Sequence, residues 1–348
     1  MNILITNSCL ESLGGSQSFV RDLGLGLQNL GHTVMAYSSD PGDREVLCQN
    51  GMVPTTDQLE KLPFRPDVIH GQHHLDAMAA IIALPGVPAI YHCHGAVWRE
   101  CPPRHPRIYH YLAMSRTLAE RIMVESNIAP AEITVWLNSV ELGRFANVRT
   151  LPLRPARALL YNKMHGLDSP TTTAITEAAS RLGIVLEFAG RKFDRLISDP
   201  QNFLPNYDIV FASGKSAIDA LACGCAVIVL GRTSCGEMVV PENFDRLRQA
   251  NFAIAVNSPP PSADKIEREL RRYSAEPCTF VSQRVRHEAD ASLSAEKLVS
   301  IYEQVIARHQ STQPDLPAEM LATAQYLRKI TPLVQICDDA WTTRPMNP

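Results

Sequence analysis

The chain has 348 residues, of which 45% are hydrophobic and 20% are charged, and its formal net charge is −3. At roughly 150 residues per domain, this length predicts about two domains. The ordinary composition excludes wholesale disorder. The weak net charge excludes a global basic surface for nucleic acid, so an anionic ligand would need a local site.

The cysteines and the apolar segments indicate where the protein resides. Nine cysteines are scattered along the chain, and an odd, scattered set is typical of a reduced compartment rather than of a disulfide framework. The N-terminus lacks the basic region of a secretory signal, and the longest apolar stretch is interrupted by Pro85, Gly86 and Pro88. We therefore expect a cytoplasmic protein without a transmembrane helix. Peripheral membrane contact stays open, because an interfacial patch need not form a long apolar run.

The first part of the chain alternates short apolar strands with helices of apolar period. The predicted strands are 2–6, 33–37, 67–70, 88–94, 111–115 and 132–137, and the predicted helices are 19–30, 75–84 and 117–127. Such alternation is typical of a parallel, doubly wound sheet. We therefore predict an α/β domain over residues 1–148.

The alternation restarts after a proline- and arginine-rich linker at 147–156. Strands are predicted at 158–161, 184–188, 208–212 and 225–230, and helices at 171–182 and 216–223. The chain then looks helical at 265–273, 293–309 and 318–329. After Thr331 the prolines predict an irregular tail. The predicted division is a second domain at 149–312 and a C-terminal helix with an irregular tail at 313–348.

Two glycine-containing turns are candidate phosphate sites. Gly14 and Gly15 lie between the first strand and the first helix, where backbone N–H groups can approach an anion; the alternative is a plain tight turn. The segment from Gly214 through Lys215 to Ser216 resembles the end of a P-loop, but Ile209 stands where that motif requires its first glycine. Lys215 still opens a helix just beyond a strand, so it is either a phosphate contact or a solvated lysine.

Asp219 is predicted to lie in the first turn of the helix that starts at Ser216. A carboxylate there is stabilised by the helix dipole and could accept hydrogen bonds from ribose hydroxyls; the alternative is a helix charge without a ligand. The pair Gly24 and Gly26 falls inside a predicted helix rather than in a strand–helix turn. This placement disfavours an NAD-dependent oxidoreductase.

Five histidines raise the question of a metal site. They are His70, His73, His74, His92 and His94. No Cys-x-x-Cys or His-Glu-x-x-His pair accompanies them, so we predict no metal. The sequence also has no Asp-x-Asp pair. If a diphosphate binds, cationic side chains and backbone amides are expected to hold it.

Four blocks in order resemble the retaining GT-B glycosyltransferases of family 4. They are residues 2–34 with Gly14 and Gly15, residues 67–70, residues 114–145 and residues 208–230. The resemblance implies two Rossmann-like domains that face a cleft, with the acceptor on the N-terminal domain and a nucleoside-diphosphate sugar on the C-terminal one. It further implies transfer with retention of anomeric configuration, without a metal or other cofactor.

The resemblance also assigns roles to single residues. Gly14 and Gly15 would face the donor diphosphate, and His94 matches a family histidine near the transferred sugar. Asp219 matches the second acid of the family's E-x7-E signature. His94 and Asp219 are therefore the predicted catalytic pair, and the predicted donor-binding residues are Gly14, Gly15, Lys163, Arg191, Gly214, Lys215, Ser216 and Asp219.

The chain departs from the family pattern at two places that matter for function. Phe211 stands eight residues before Asp219, where the signature has its first Glu, and Ser139 replaces the usual glycine after Asn138. The cations that would neutralise the leaving diphosphate are assigned to Lys163 and Arg191, with surface solvation as the alternative for both.

The predicted function is transfer of a sugar to a hydroxyl of a glycan, lipid or protein acceptor. The first alternative is a degenerate GT-B protein that binds a nucleotide sugar or glycan without catalysis, which the missing Glu favours. The second is a nucleotide-sugar epimerase of the same architecture.

Overall fold

Two sheets of mainly parallel strands organise the chain. The computed structural model describes residues 1–11, 14–49, 51–254 and 260–342, with side chains as far as residue 332. The first sheet has the strand order β3-β2-β1-β4-β5-β6-β7, and all its pairs are parallel. Its strands are β1 (Asn2–Thr6), β2 (Thr33–Tyr37), β3 (Thr55–Thr56), β4 (Val68–Gly71), β5 (Ala89–Cys93), β6 (Ile108–Ala113) and β7 (Ile133–Val135). Its helices are α1 (Gly15–Asn29), α2 (Arg44–Gln49), α3 (His74–Ala83) and α4 (Arg116–Ser126).

The second sheet has the order β12-β11-β10-β8-β9, and only the pair β11–β12 is antiparallel among its described strands. Its strands are β8 (Arg157–Tyr161), β9 (Val185–Ala189), β10 (Ile209–Ala212), β11 (Ala226–Leu230) and β12 (Cys235–Met238). The remaining helices are α5 (Pro170–Arg181), α6 (Pro200–Phe203), α7 (Gly214–Ala222), α8 (Phe244–Gln249), α9 (Ala263–Leu270), α10 (Ala275–Glu288), α11 (Ala291–Ser311) and α12 (Leu316–Thr342).

The central strands of each sheet are buried on both faces, because they are largely apolar rather than alternating. In β1, Leu4 packs toward α3 and α4, whereas Ile3 and Ile5 pack toward α1 and α11. In the second sheet, Leu159 and Leu160 of β8 likewise face opposite helical layers. The sheets are therefore the central layers of two α/β/α units, as the strand–helix alternation predicts.

The last two helices return to the first sheet. Helix α11, which the sequence analysis places at the end of the second domain, packs on α1 and β6 and buries Leu298 and Tyr302 there. Helix α12 packs Tyr326 against the opposite layer, and Glu319 forms a salt bridge with Arg107. The two layers that cover the first sheet are thus completed by the end of the chain.

The structure corrects the prediction of an irregular tail after Thr331. Helix α12 continues through Pro332 to Thr342, and residues 343–348 lie outside the described part of the chain. A proline inside a helix removes one backbone hydrogen bond. A helix of 27 residues keeps its other bonds on both sides of that break. None of the helices in the described part is long and apolar enough to span a bilayer.

Candidate active site

The two sheets meet at the carboxyl ends of their strands, close to their switch points. Strand order reverses at β1 and β4 in the first sheet, and at β8 and β10 in the second. Ligands of open α/β sheets bind beyond such points. The turn before α1 and the loop after β8 face each other here, which places Gly14 beside Lys163.

Gly14 and Lys163 approach so closely that a side chain at Gly14 would displace the flexible ends of Lys163 and Gln17. A Cβ atom at Gly14 would lie 2.7 Å from the Lys163 ammonium nitrogen and 2.3 Å from Gln17 Oε1. Gly14 is the N-cap of α1, and no side chain caps this helix. The first N–H groups of a helix have no partner within it. The ammonium group therefore stands beside a helix end that also attracts anions.

Lys163 belongs to a cluster of three cations from three loops. Burial of the ammonium group lowers the pKa of Lys163, and repulsion from Arg191 and Arg99 lowers it further. None of the three cations forms a salt bridge within the part of the chain that the structure describes. Positive groups gathered without acidic partners favour an anionic ligand.

Gly190 holds Arg191 next to the Lys163 loop. Its φ is +135°, and a Cβ there would lie 1.6 Å from the Asn162 carbonyl oxygen. Asn162 in turn accepts hydrogen bonds from the backbone N–H groups of Met164 and His165, both at 2.6 Å. The loops after β8 and β9 are thus packed backbone to backbone. Gly15, by contrast, has open space where a Cβ would lie.

Lys215 and Asp219 form a buried ion network that spans the two units. The Lys215 ammonium nitrogen lies 2.7 Å from Asp219 Oδ1, 3.4 Å from Asp22 Oδ2 of α1 and 3.0 Å from the Ser139 carbonyl oxygen. Arg21 and Arg144 complete the network at 2.8 Å and 3.4 Å from Asp22 Oδ1. The network joins α1, α7 and the segment that follows β7.

Burial and the neighbouring charges shift the pKa values of the buried groups in this network. Burial alone would raise the pKa of Asp22, but Lys215, Arg21 and Arg144 together lower it. Burial would lower the pKa of Lys215, but Asp219 and Asp22 raise it. Burial raises the pKa of Asp219, and Lys215 offsets only part of that effect.

Asp219 lies in the second turn of its helix, not in the first turn that the sequence predicted. Helix α7 starts at Gly214, two residues earlier than expected, because the positive φ of +57° at Gly214 lets the chain turn directly after Ser213. The Gly214 N–H donates to the Phe252 carbonyl oxygen at 3.1 Å. Gly214, Lys215 and Ser216 therefore form the first turn, at the carboxyl edge of β10.

His94 lies at the edge of β5 in an aromatic group. Its ring stacks on His92 at 4.2 Å between centroids and meets Phe19 edge-on at 4.8 Å. Burial lowers the pKa of His94 to about 4, so its ring is neutral at pH 7. Its Nε2 is buried and has no hydrogen-bond partner in the described structure. Its backbone N–H donates to Glu100 Oε2 at 3.1 Å.

The structure adds Asp22, Arg144 and Arg99 to the candidate residues that the sequence suggested. The sequence does not single out Asp22 or Arg144 as functional residues, because each looks like an ordinary charged residue on a helix or in a linker. No group of three or more histidine, cysteine, aspartate or glutamate side chains suited to a metal ion occurs within the described ranges. The eight cysteines with described side chains are free thiols.

Comparison with known proteins shows which family and which solved structures the chain resembles. Residues 13–144 match the family described as Glycosyltransferase Family 4. No curated protein sequence matches the chain. The structure resembles a glycosyltransferase from Rickettsia africae, with 15% identity, 88% of this chain and 98% of that chain covered, and a TM-score of 0.59.

Two further solved structures have the same architecture. One is the lipopolysaccharide outer core galactosyltransferase WaaB, at 14% identity, with 87% and 100% of the two chains covered and a TM-score of 0.56. The other is WaaG, a glycosyltransferase involved in lipopolysaccharide biosynthesis, at 11% identity, 86% and 99% coverage and a TM-score of 0.53. The family match indicates a glycosyltransferase, and the structural likenesses confirm the predicted GT-B fold.

Proposed function

Starting from a Glycosyltransferase Family 4 match within a GT-B fold, we propose that the chain moves a sugar from a nucleoside-diphosphate donor to a hydroxyl acceptor. The donor diphosphate lies between the first turn of α1 and the cations Lys163 and Arg191. The proposed transfer retains the anomeric configuration and needs no metal. The acceptor is a glycan, lipid or protein hydroxyl.

One observation carries this proposal: Lys163 reaches Gly14 across the space between the two sheets without an acidic partner. A Cβ atom at Gly14 would displace the Lys163 ammonium group, which shows how close the two loops lie, and two arginines add positive charge there. A diphosphate would relieve the repulsion among the three cations and accept hydrogen bonds from the first turn of α1.

The chemistry assigned to these residues is stabilisation of the leaving group. When the bond between sugar and diphosphate breaks, negative charge grows on the phosphate oxygens, and fixed cations stabilise it. The neutral His94 stays the residue predicted near the transferred sugar, and its buried Nε2 has no other hydrogen-bond partner in the described structure. The backbone N–H groups of Lys215 and Ser216, in the first turn of α7, offer a second set of hydrogen-bond donors to the nucleotide sugar, whereas the Gly214 N–H is already bonded to the Phe252 carbonyl oxygen. Lys215 and Asp219 stay predicted donor-site residues.

A cavity on the N-terminal unit is the candidate acceptor site. It has a volume of about 230 Å³ and lies between α4, α12 and the loop after β5. Trp98 and Tyr326 line it together with His74, whose ring meets both aromatic rings edge-on. The exposed ring of Trp98 and the neighbouring polar groups suit a sugar ring or another amphipathic acceptor.

The experiment is nucleotide binding measured by thermal shift and calorimetry. UDP, GDP, dTDP and their common sugars are tested, with NAD as a control. A ligand at 100 times its dissociation constant adds about 2.7 kcal/mol to stability. We expect one nucleotide family to bind, and Lys163→Met to weaken it about tenfold or more, because a charge-assisted phosphate contact is lost. Lys297→Met, on the exposed face of α11, is the matched control and should bind normally.

Product analysis separates the proposal from its alternatives. Incubation of the bound donor with candidate acceptors should give a glycoside of unchanged anomeric configuration, with or without a chelator. Donor binding without any product would support the degenerate alternative. A changed sugar from donor alone would support the epimerase. Normal binding by the Lys163→Met variant would contradict the proposed diphosphate site.

A further inference from the structure

A serine, a histidine and a glutamate form a hydrogen-bonded chain at the switch point of the first sheet. Ser8 follows β1 and His73 follows β4, and these strands are neighbours. Ser8 Oγ lies 2.6 Å from His73 Nδ1, and His73 Nε2 lies 3.2 Å from Glu100 Oε1. His73 and Glu100 are buried, whereas Ser8 is only half-buried. Ser8 is thus the least buried member of the chain.

The hydrogen bonds determine which ring nitrogen of His73 carries the proton. The Ser8 backbone N–H donates to His73 Nδ1 at 3.1 Å, so Nδ1 carries no proton and the imidazole proton is on Nε2. Nε2 therefore donates to Glu100. Burial alone would raise the pKa of Glu100, but hydrogen bonds from the His73 side chain and the His94 backbone N–H help to lower it, so it stays ionised. The Ser8 hydroxyl shares Nδ1 with the Ser8 backbone N–H and donates to it, which gives the order of a serine–histidine–acid triad with the two ring nitrogens in exchanged roles.

The backbone at His73 is held in an unfavourable conformation. Its φ is +52° and its ψ is +106°, a region that L-residues rarely adopt. Such conformations persist only where the surroundings enforce them, and they concentrate at functional sites. Ser8 is hydrogen-bonded to Nδ1 of His73 and Glu100 to Nε2, and these contacts hold the strained residue in place.

The first turn of α1, which the proposed donor diphosphate also uses, is the candidate site for a developing oxyanion. Gln17, in the first turn of α1, donates from Nε2 to the carbonyl oxygen of Cys9 at 2.9 Å. This bond ties the helix start to the residue next to Ser8. The first turn of α1 has N–H groups without a partner in the helix and without a side-chain cap. Such groups stabilise the oxyanion of acyl transfer.

We propose that Ser8, His73 and Glu100 are a catalytic triad for acyl transfer from carboxylic esters, a second activity that does not depend on sugar transfer. Ser8 Oγ bonds to the ester carbonyl carbon while its proton passes to His73 Nδ1. The ester C–O bond then breaks, and the departing alcohol takes that proton. Water or another alcohol attacks the acyl-serine, gives its proton to Nδ1 and releases the acid or a new ester. Glu100 orients the imidazole and stabilises its charged form.

The test is covalent labelling of the full chain with a fluorophosphonate. The probe's P–F bond is replaced by a bond to an activated serine oxygen, and the adduct is located by peptide mass spectrometry. We expect one adduct, on Ser8, and none in Ser8→Ala. His73→Asn should slow labelling about 100-fold, the usual contribution of a general base, and Glu100→Gln should also slow it. Ser39→Ala, an exposed serine after β2, should label at the wild-type rate.

Hydrolysis of p-nitrophenyl butyrate provides the second readout, with the same order of variants expected. Absence of an adduct in the wild type, or labelling that survives in Ser8→Ala, would overturn the proposal. Equal labelling rates in wild type, His73→Asn and Glu100→Gln would show an ordinary surface serine in a structural network. Melting curves monitor the fold of each variant. If His73→Asn does not fold, Glu100→Gln, which changes one atom, decides between the two outcomes.

Discussion

Gly190 combines an unusual backbone conformation with a crowded position, so its replacement should be costly. At Gly183 the φ is +67° but a Cβ would meet open space, whereas at Gly190 a Cβ would meet the Asn162 backbone. We predict that Gly183→Ala lowers the free energy of unfolding by about 1 kcal/mol, the cost of the conformation alone. Gly190→Ala should cost clearly more and also weaken nucleotide binding, because Lys163 and Arg191 flank the clash. Urea unfolding of both variants measures this, and equal losses would refute the packing argument.

Single residues also show how much of the site the sequence could predict. Gly14, Lys163 and Arg191 were predicted, and the structure brings them together because each follows a strand or its turn at the same edge. Asp22 was not predicted, because its partners Lys215 and Arg144 lie more than 100 positions away. Pairing across that distance leaves no local pattern. The contacts of His73 with Ser8 and Glu100 span 65 and 27 positions, which is also too far to leave a local pattern.

Helices α1 and α7 are joined by the charges of Asp22, Lys215 and Asp219. Removing one member of a buried ion pair leaves an uncompensated charge and costs about 3–5 kcal/mol, whereas removing both is far milder. We predict that Lys215→Met is strongly destabilising and that Lys215→Met combined with Asp219→Leu recovers at least about 1 kcal/mol. A double-mutant cycle in urea measures the coupling. Additive losses would show that the contact between Lys215 and Asp219 contributes little.

A substitution in α7 tests whether Asp219 contacts the donor. Asp219→Asn keeps the size of the side chain while it removes the charge that faces Lys215. A loss of nucleotide affinity larger than the loss of stability would support a ribose contact. A loss of stability alone would assign the carboxylate to the junction of α1 and α7.

At the level of elements, hydrophobic period predicted most strands and helices of the two sheets. It missed β12, whose residues Gly236 and Glu237 break the apolar run and whose pairing with β11 is antiparallel. It also ended α12 too early, because Pro332 was read as a stop. Which sheet α11 and α12 cover depends on tertiary packing and not on local pattern.

For the whole molecule, buried histidines should make stability fall in mild acid. Burial lowers the pKa of His105 to about 4, with repulsion from Arg107 as a second cause, and burial lowers that of His74 to about 4 as well. Above pH 6.5 these two histidines are neutral in both the folded and the unfolded chain. Between pH 6.5 and 4 only the unfolded chain binds the protons, so stability is lost as the pH falls.

Replacement of one such histidine should reduce that loss. We predict that His105→Asn removes about 2 kcal/mol of the stability change between pH 7 and pH 4.5, as measured by urea unfolding at both values. His287→Asn, at an exposed position of α10, is the control and should leave the change intact. An unaltered acid response in His105→Asn would show that other groups govern it.

The return of α11 to the first sheet gives the molecule an unusual chain path. The polypeptide leaves the first unit after β7 and re-enters it at α11, and the two crossings are hydrogen-bonded to each other: the Val140 N–H donates to the Ala289 carbonyl oxygen at 2.7 Å, and the Ala291 N–H donates to the Val140 carbonyl oxygen at 2.9 Å. The second unit is in effect an insertion into the first. A fragment that ends before Ala291 would lack α11 and would leave part of one face of the first sheet covered by α1 alone. Because the two connecting segments are hydrogen-bonded to each other, we expect the two units to move apart only by rotation about an axis along these segments.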